Sequence, residues 1–322
     1  MAKSTWIGID IGGTKSRFDL FNQDFRVLHS IKKQTPKEID EFTDLLASSV
    51  KKLFSHTPAG QVAAIGIGFA GRVDSKAGVV RSAPNIPSLH GFSFKKALSG
   101  FIKGPVVLCN DVQAAMYGEW KLGVAVGRKD VIGIFLGTGI GGAIISNGKP
   151  HLGATGTAGN IGHYLLQPFG PLAGSERHGV LDEVASRVAI AGAAASFAAK
   201  DWAPHLLKNA GTDVQKIKSS DLAEAIEAGD KSVEELVRSR AQIIGIVMSN
   251  LVDFFNPEMV VLGGGLTDSM PKLIREEVAA GIAAHSTTEA QAGLRIVTSK
   301  LKGHAVTTGA AQLASHAIHR EQ

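Results

Sequence analysis

The stretch Gly133-Ile134-Phe135-Leu136-Gly137-Thr138-Gly139-Ile140-Gly141-Gly142-Ala143-Ile144-Ile145 decides how this chain is read. Two short apolar runs flank a turn, and five of the ten residues from Gly133 to Gly142 are glycine. Apolar runs of this length read as strands, and glycines between them mark a tight turn or a close approach of backbone to a ligand. Backbone without Cβ atoms can present successive N–H groups to an anion, a concave nest for phosphate. An earlier stretch has the same build: Ile7-Gly8-Ile9-Asp10-Ile11-Gly12-Gly13-Thr14-Lys15-Ser16-Arg17-Phe18-Asp19-Leu20-Phe21. Each is a strand, a Gly/Thr turn and a second strand. Two such hairpins predict two lobes that grip one phosphorylated ligand.

Composition sets the frame. The 322 residues suffice for two domains of ordinary size, and 44% hydrophobic with 20% charged residues is normal for a globular protein. The net charge of +5 is scattered over pairs such as Lys32-Lys33, Lys51-Lys52 and Lys95-Lys96. No block of like charge marks a nucleic-acid arm, so no nucleic-acid partner is expected. Cys109 is the only cysteine, which excludes an internal disulfide and a cysteine-cluster metal site. The apolar run from Trp6 is broken by Asp10 and glycines, unlike a signal peptide, and the apolar run at 189–199 is too short to span a membrane. A cytoplasmic protein without membrane contact is expected.

Periodicity places strands at 6–10, 17–21, 27–31, 62–69, 78–82, 105–109, 259–262 and 294–298. Helices are expected at 40–54, 94–101, 111–122, 181–200, 220–228, 233–255, 270–282 and 307–318. The segment 150–179 is rich in Gly, Pro, His and Thr without a sustained period, and loops of that length are usually functional or disordered. Each glycine turn joins strand to strand, unlike a Rossmann domain, where the turn opens a helix. Neither turn has the Walker A spacing.

Four places could carry chemistry. Asp10, beside Gly12-Gly13-Thr14, could hold Mg²⁺ while the turn amides meet phosphate; a turn-forming aspartate explains it as well. Asn110-Asp111, where a strand meets a helix, offers Asp111 as a catalytic base or simply as a helix cap. His163, in Gly159-Asn160-Ile161-Gly162-His163, could bind a hydroxyl-rich ligand or a metal, or lie idle on the surface. Gly263-Gly264-Gly265 could approach a nucleotide base or merely turn the chain.

In this order, the residues resemble the ROK family of bacterial sugar kinases and sugar-responsive repressors, within the actin-like, hexokinase-like ATPase superfamily. The resemblance runs from Ile7 to about Ala314. It rests on Asp10-Ile11-Gly12-Gly13-Thr14-Lys15, Gly68-Phe69-Ala70-Gly71-Arg72-Val73-Asp74, Pro84-Asn85-Ile86-Pro87, Asn110-Asp111, Gly137-Thr138-Gly139-Ile140-Gly141-Gly142 and Gly263-Gly264-Gly265. It implies an α/β fold of two actin-like (ribonuclease H-like) lobes, each with a mixed sheet, and a cleft between them. The lobes would be residues 1–115 plus 305–322, and residues 116–304. Asp111 would deprotonate a sugar hydroxyl. Gly71, Asn85, Asn110, Gly139, Asn160, His163 and Asp182 would line the sugar site. Gly12, Gly13, Thr14 and Lys15, with Thr138, would surround the phosphates of ATP, and Gly264 and Gly265 would meet the adenosine, beside the Mg²⁺ that the residues themselves suggest for Asp10. A homodimer is expected on the same ground.

The departures lie on the sugar side. Asn160 stands where the family has a sugar-binding Glu, and Asp182 shortens a second one, with Glu183 beside it. Three zinc cysteines of the family are replaced by Ala173, Ser175 and Val180. Structural zinc needs about four N/S ligands, so no structural zinc site is expected. An ATP- and Mg²⁺-dependent hexose kinase is the leading expectation, with glucose as the default by resemblance. A sugar-binding regulatory or catalytically degenerate protein is the rival. Against a repressor, the sequence opens on the phosphate strand with no upstream helix-turn-helix and no basic patch. Polyphosphate as donor, which some related glucokinases use, has no sequence feature in its favour.

Overall fold

A computed structural model describes residues 4–57, 61–170 and 178–318. The chain divides into two compact units, Met1–Gly127 with Gly303–Gln322, and Arg128–Lys302.

The first unit opens with an antiparallel hairpin, β1 (Thr5–Ile11) and β2 (Lys15–Phe21), extended by β3 (Val27–Gln34). Next comes α1 (Ile39–Phe54), which buries Phe42, Leu46, Val50 and Leu53, the three-to-four spacing of one helix face. Asp40 and Glu41 in its first turn, and Lys51 and Lys52 in its last, complement the helix dipole. β4 (Val62–Phe69) lies parallel to β1, pairing Gly8 with Gly66 and Asp10 with Gly68. A small ribbon of β5 (Arg72–Asp74) and β6 (Val79–Ser82) leads to α2 (Phe94–Leu98), capped by the Ser93 hydroxyl. This helix is shorter than the expected 94–101, because Ser99 and Gly100, poor helix formers, end it. β7 (Val106–Asn110) joins the sheet parallel to β4 and runs directly into α3 (Asp111–Leu122). The sheet order is β3-β2-β1-β4-β7.

The second unit repeats the plan. β8 (Val131–Leu136), β9 (Ile140–Ser146) and β10 (Lys149–His151) form an antiparallel meander. Helices α4 (Leu181–Ala185), α5 (Arg187–Ala198), α6 (Pro204–Ala210), α7 (Ser219–Glu227) and α8 (Lys231–Phe255) follow. The single helix expected over 181–200 is two. Ser186 breaks it with extended backbone (φ −68°, ψ 163°), and its hydroxyl accepts the Ala189 N–H at 3.2 Å, so capping chemistry overrides alanine-rich propensity. α8 ends at Asn256 in the left-handed region (φ 46°), ahead of Pro257. β11 (Met259–Gly263) lies parallel to β8. α9 (Gly265–Ser269), α10 (Pro271–His285), α11 (Thr288–Gln291) and β12 (Arg295–Thr298) complete the unit, with sheet order β10-β9-β8-β11-β12. Strand for strand, order and direction match the first unit. No helix among the described residues is long and apolar enough to cross a membrane.

α12 (Ala305–Ile318) returns to the first unit and packs on β1, β4 and α3. The approach is close enough that only glycine fits. A Cβ on Gly66 would lie 1.9 Å from the Ala310 carbonyl oxygen, and one on Gly8 2.0 Å from that of Thr307. On the α3 side, a Cβ on Gly309 would lie 1.7 Å from the Ala114 carbonyl oxygen. The helix is also pinned by Asp19, fully buried, whose carboxylate accepts from the Thr307 hydroxyl at 2.6 Å, from Ser30 at 2.5 Å and from His304 Nδ1 at 2.7 Å.

Gly66→Ala should therefore lower the urea unfolding free energy by roughly 3 kcal/mol, since backbone cannot yield as a side chain does. Gly192→Ala, in α5 with nothing within 4 Å of the added methyl, should instead stabilise by about 0.5–1 kcal/mol. Equal effects would contradict the packing described.

Candidate active site

In the first unit, the turn between β1 and β2 is held from behind by a chain of hydroxyls. Thr35 donates to the Gly12 carbonyl at 2.8 Å, and the Ser16 hydroxyl meets Thr35 at 2.9 Å. The Thr35 N–H bonds the Thr14 carbonyl at 2.9 Å, and the Gly12 N–H bonds that of Lys15 at 3.1 Å. Thr14 and Lys15 are exposed at the tip. Asn85 is brought against this turn: a Cβ on Gly13 would lie 2.6 Å from the Asn85 Cβ. Lys37 bridges the two, donating to the Gly13 carbonyl at 2.5 Å and to the Asn85 carbonyl at 2.7 Å.

Asp111 is the first residue of α3, and the residue that caps the helix is Asn110. The Asn110 Oδ1 accepts the N–H groups of Val112 (3.0 Å) and Gln113 (3.2 Å). The Asn110 amide donates to Asp111 Oδ1 at 2.9 Å and to the Gly71 carbonyl at 3.3 Å. Gly71, Asn110 and Asp111 are thus one hydrogen-bonded group. Burial raises the Asp111 pKa, against the opposing pull of the Val112 N–H, its own N–H and the Asn110 amide. Asp10, opposite Arg17 in the hairpin, is pushed up to about 7, first by burial and then by the negative charge of Asp111, with Arg17 opposing. Both side chains keep a partly open surface, but the surrounding protein dominates their solvation.

In the second unit, Thr138 and Gly139 are exposed at the tip of the β8–β9 hairpin, closed by the Gly137 N–H on the Gly139 carbonyl at 2.9 Å. Asp182, at the start of α4, accepts the Ile140 N–H at 2.5 Å and lies against Gly139 and Gly162. Burial raises its pKa, while the Ile140 N–H and His163 lower it. The glycine tip, Asp182 and His163 are therefore one cluster. His163 closes a 3₁₀ turn (Ile161–His163), and its Nδ1 is buried without a hydrogen-bond partner. Asn160 precedes that turn, exposed and making no side-chain cap. Gly264, at φ 87°, lets the chain pass over Leu136, whose carbonyl oxygen would lie 2.5 Å from a Cβ there; Gly265 opens α9. Of the three positions where the family has zinc cysteines, Val180 is buried and bridges to Leu165, while Ala173 and Ser175 lie outside the described residues. Among the described residues, no group of three or more His, Cys, Asp or Glu is placed to hold a metal.

Sequence reasoning missed Thr35, Lys37 and Arg187. Arg187 opens α5, its N–H bonds the Gly137 carbonyl at 3.1 Å, and its guanidinium reaches the Ile217 carbonyl (2.9 Å) and the Thr138 hydroxyl (3.4 Å). None belongs to a motif; each acts through a contact distant in sequence.

The chain belongs to the ROK family, whose model matches residues 6–317. It is 32% identical over 264 residues to a glucokinase of Streptomyces coelicolor, covering 81% of this chain and 82% of that protein. It is 30% identical over 282 residues to an N-acetylmannosamine kinase of Escherichia fergusonii, covering 85% and 88%. Its structure is similar to that of a ROK family glucokinase from Streptomyces griseus in complex with glucose and AMPPNP, with a TM-score of 0.87 and 31% identity over 97% of this chain and 100% of that one. The mixed α/β, actin-like two-lobe class expected from the sequence is the class found.

Asp10 has a folded pKa near 7 against about 4 in the unfolded chain. Its neutral form stabilises the fold fully below pH ~4, and that contribution is lost as pH rises through 7. Without divalent cation, Asp10→Asn should match the parent protein at pH 4 and exceed it above pH 7 by on the order of 3 kcal/mol. Thermal unfolding from pH 4 to 8 reads this; a gain that shrinks as pH rises would contradict it.

Proposed function

We propose that this protein is a sugar kinase that transfers the terminal phosphoryl group of ATP to a hydroxyl of a hexose or hexose derivative, glucose being the default by family resemblance. The observation that carries the mechanism is Asp111. Phosphoryl transfer asks mostly for positioning and charge neutralisation, plus a carboxylate to take the nucleophile's proton. Asn110 and the Val112 N–H engage Oδ1, which fixes the carboxylate and leaves Oδ2 to accept that proton. The raised pKa makes Asp111 a stronger base than an ordinary aspartate.

In the first unit, Gly12, Gly13, Thr14 and Lys15 receive phosphate oxygens, while Gly71, Asn85 and Asn110 orient the sugar. Lys37 keeps the phosphate turn and the Asn85 loop in register. In the second unit, Thr138 is assigned to phosphate, Gly139, Asn160, His163 and Asp182 to sugar, and Gly264 and Gly265 to adenosine. Asp10 suits Mg²⁺, because burial and the neighbouring Asp111 charge leave its negative charge poorly compensated. When bound, Mg²⁺ supplies charge neutralisation of the transferred phosphoryl group. Asn160 offers the sugar one acceptor and two donors where a glutamate would offer only acceptors. The loss of charge assistance weakens hexose binding by roughly ten-fold unless the substrate carries an acceptor group there. A homodimer and a cytoplasmic location belong to the same reading, by resemblance.

The exposed neutral Asn160 favours a second reading, a sugar-binding regulator without turnover. ADP release across hexoses, amino sugars and N-acetyl sugars separates the two. Turnover is expected on at least one; binding without turnover on all would favour the regulator. Asp111→Asn should lower kcat by at least ~10²-fold while sugar affinity stays within a few-fold, and full activity in that variant would sink the mechanism.

We also propose that the fold stands without structural zinc, since Ala173, Ser175 and Val180 cannot replace thiolates and Cys109 is the only cysteine. Metal analysis of purified protein should find far less than one equivalent of zinc. One tightly held equivalent would overturn this.

A further inference from the structure

Resting on the kinase reading, we propose that Arg187 is a phosphate-binding residue of the nucleotide site, its guanidinium taking an oxygen of the ATP phosphates beside Thr138.

Arg187 stands where α5 begins, directly behind the β8–β9 tip. Its own N–H is tied to Gly137, so the base of the side chain cannot drift from that turn. Nη1 is engaged by the Ile217 carbonyl at 2.9 Å, which aims the planar group, while Nη2 reaches Thr138 Oγ1 at 3.4 Å. The second unit's other residues assigned to the nucleotide lie on neighbouring backbone. Gly264 lies on the backbone of Leu136, two residues before Thr138, and the Ser219 hydroxyl, two residues beyond Ile217, would lie 3.6 Å from a Cβ on Gly265. The guanidinium therefore touches the hairpin assigned to phosphate on one side and, on the other, the segment 217–219 that adjoins Gly265, all within the second unit.

Its charge balance points the same way. Among the described residues, its hydrogen bonds go to a neutral carbonyl and a neutral hydroxyl, and no carboxylate pairs with it. Partial burial lowers its pKa, with no neighbouring charge offsetting that cost. A half-desolvated cation beside a hydroxyl and a glycine turn is completed by an anion. Arginine is the side chain suited to phosphate, because its donors form a fixed planar fork. A purely structural arginine would hold the Ile217 loop equally well and would be indifferent to phosphate.

Binding of ATP, ADP and adenosine to the full chain, measured by calorimetry, distinguishes the two. Arg187→Met keeps most of the stem and removes the charge. It should weaken ATP and ADP by roughly 10–100-fold while adenosine changes less than about three-fold. Arg187→Lys should recover part of the loss, and the sugar KM at saturating ATP should stay put. Parallel loss of adenosine and ATP makes Arg187 a clamp on the Ile217 loop and overturns the proposal, as does no loss at all. A parent protein that binds no ATP removes the nucleotide site itself, and the kinase reading with it. Phenylglyoxal modification of the unmutated protein gives the same answer without a variant. ATP and ADP should protect the peptide containing Arg187 and adenosine should not; equal protection by all three overturns the proposal.

Discussion

The first unit depends on how closely α12 can approach its sheet. Backbone meets backbone at Gly8 and Gly66 on the strands and at Gly309 against α3, with no room for a methyl group at any of them. Glycine in strand interiors costs conformational entropy and forgoes packing. That cost is offset by a helix seated directly on β1 and β4, and by the fully buried Asp19 that three donors satisfy. α3 packs on the same helix. Since Asp111 is the first residue of α3, the position of the proposed base is set by a contact with residues nearly two hundred positions away in sequence.

The two units share one topology but use it differently. In each, the first hairpin turns through Gly and Thr, a third strand extends it antiparallel, and two later strands join in parallel on the far side. Around the first turn stand two carboxylates whose charge is discouraged by burial, together with Lys15 and Lys37. Around the second stand a hydroxyl, a guanidinium with no carboxylate partner among the described residues, and Asp182, whose Oδ1 secures the start of β9. A repeated scaffold therefore carries two unlike electrostatic surfaces, the arrangement expected when one half handles proton and cation chemistry and the other steadies an anion.

Both hairpins, the parallel strands and the long helices were legible in sequence, because their signal is local: alternating or continuous apolar runs punctuated by glycine. Asn110-Asp111 was legible as a strand-to-helix corner, but the division of labour within it was not. Either side chain can cap a helix, and only the observed rotamers assign the cap to Asn110. The break at Ser186 was hidden because a serine inside an alanine-rich run looks like a tolerated substitution. Lys37 and Arg187 gave no signal at all. Their partners lie 24 and 48 positions away for Lys37, and 30 and 49 for Arg187, and an isolated basic residue in a sequence reads as solvated surface. Asn160 and the lost cysteines stood out in sequence only through the family pattern; the loop around Ala173 and Ser175 lies outside the described residues.

The division of the chain has a consequence for its birth on the ribosome. The first unit is interrupted at Gly127 and resumes only at Gly303, so the helix that closes it is translated after the whole second unit. Until then, the face of β1 and β4 lacks the cover that α12 gives it. The second unit is contiguous, so it can finish folding while the first still waits with one face open. In this chain the unit that begins first is the one whose last element is made last. The glycines on β1 and β4 that permit the final close contact are therefore in place, on strands already made, long before the helix they receive is synthesised.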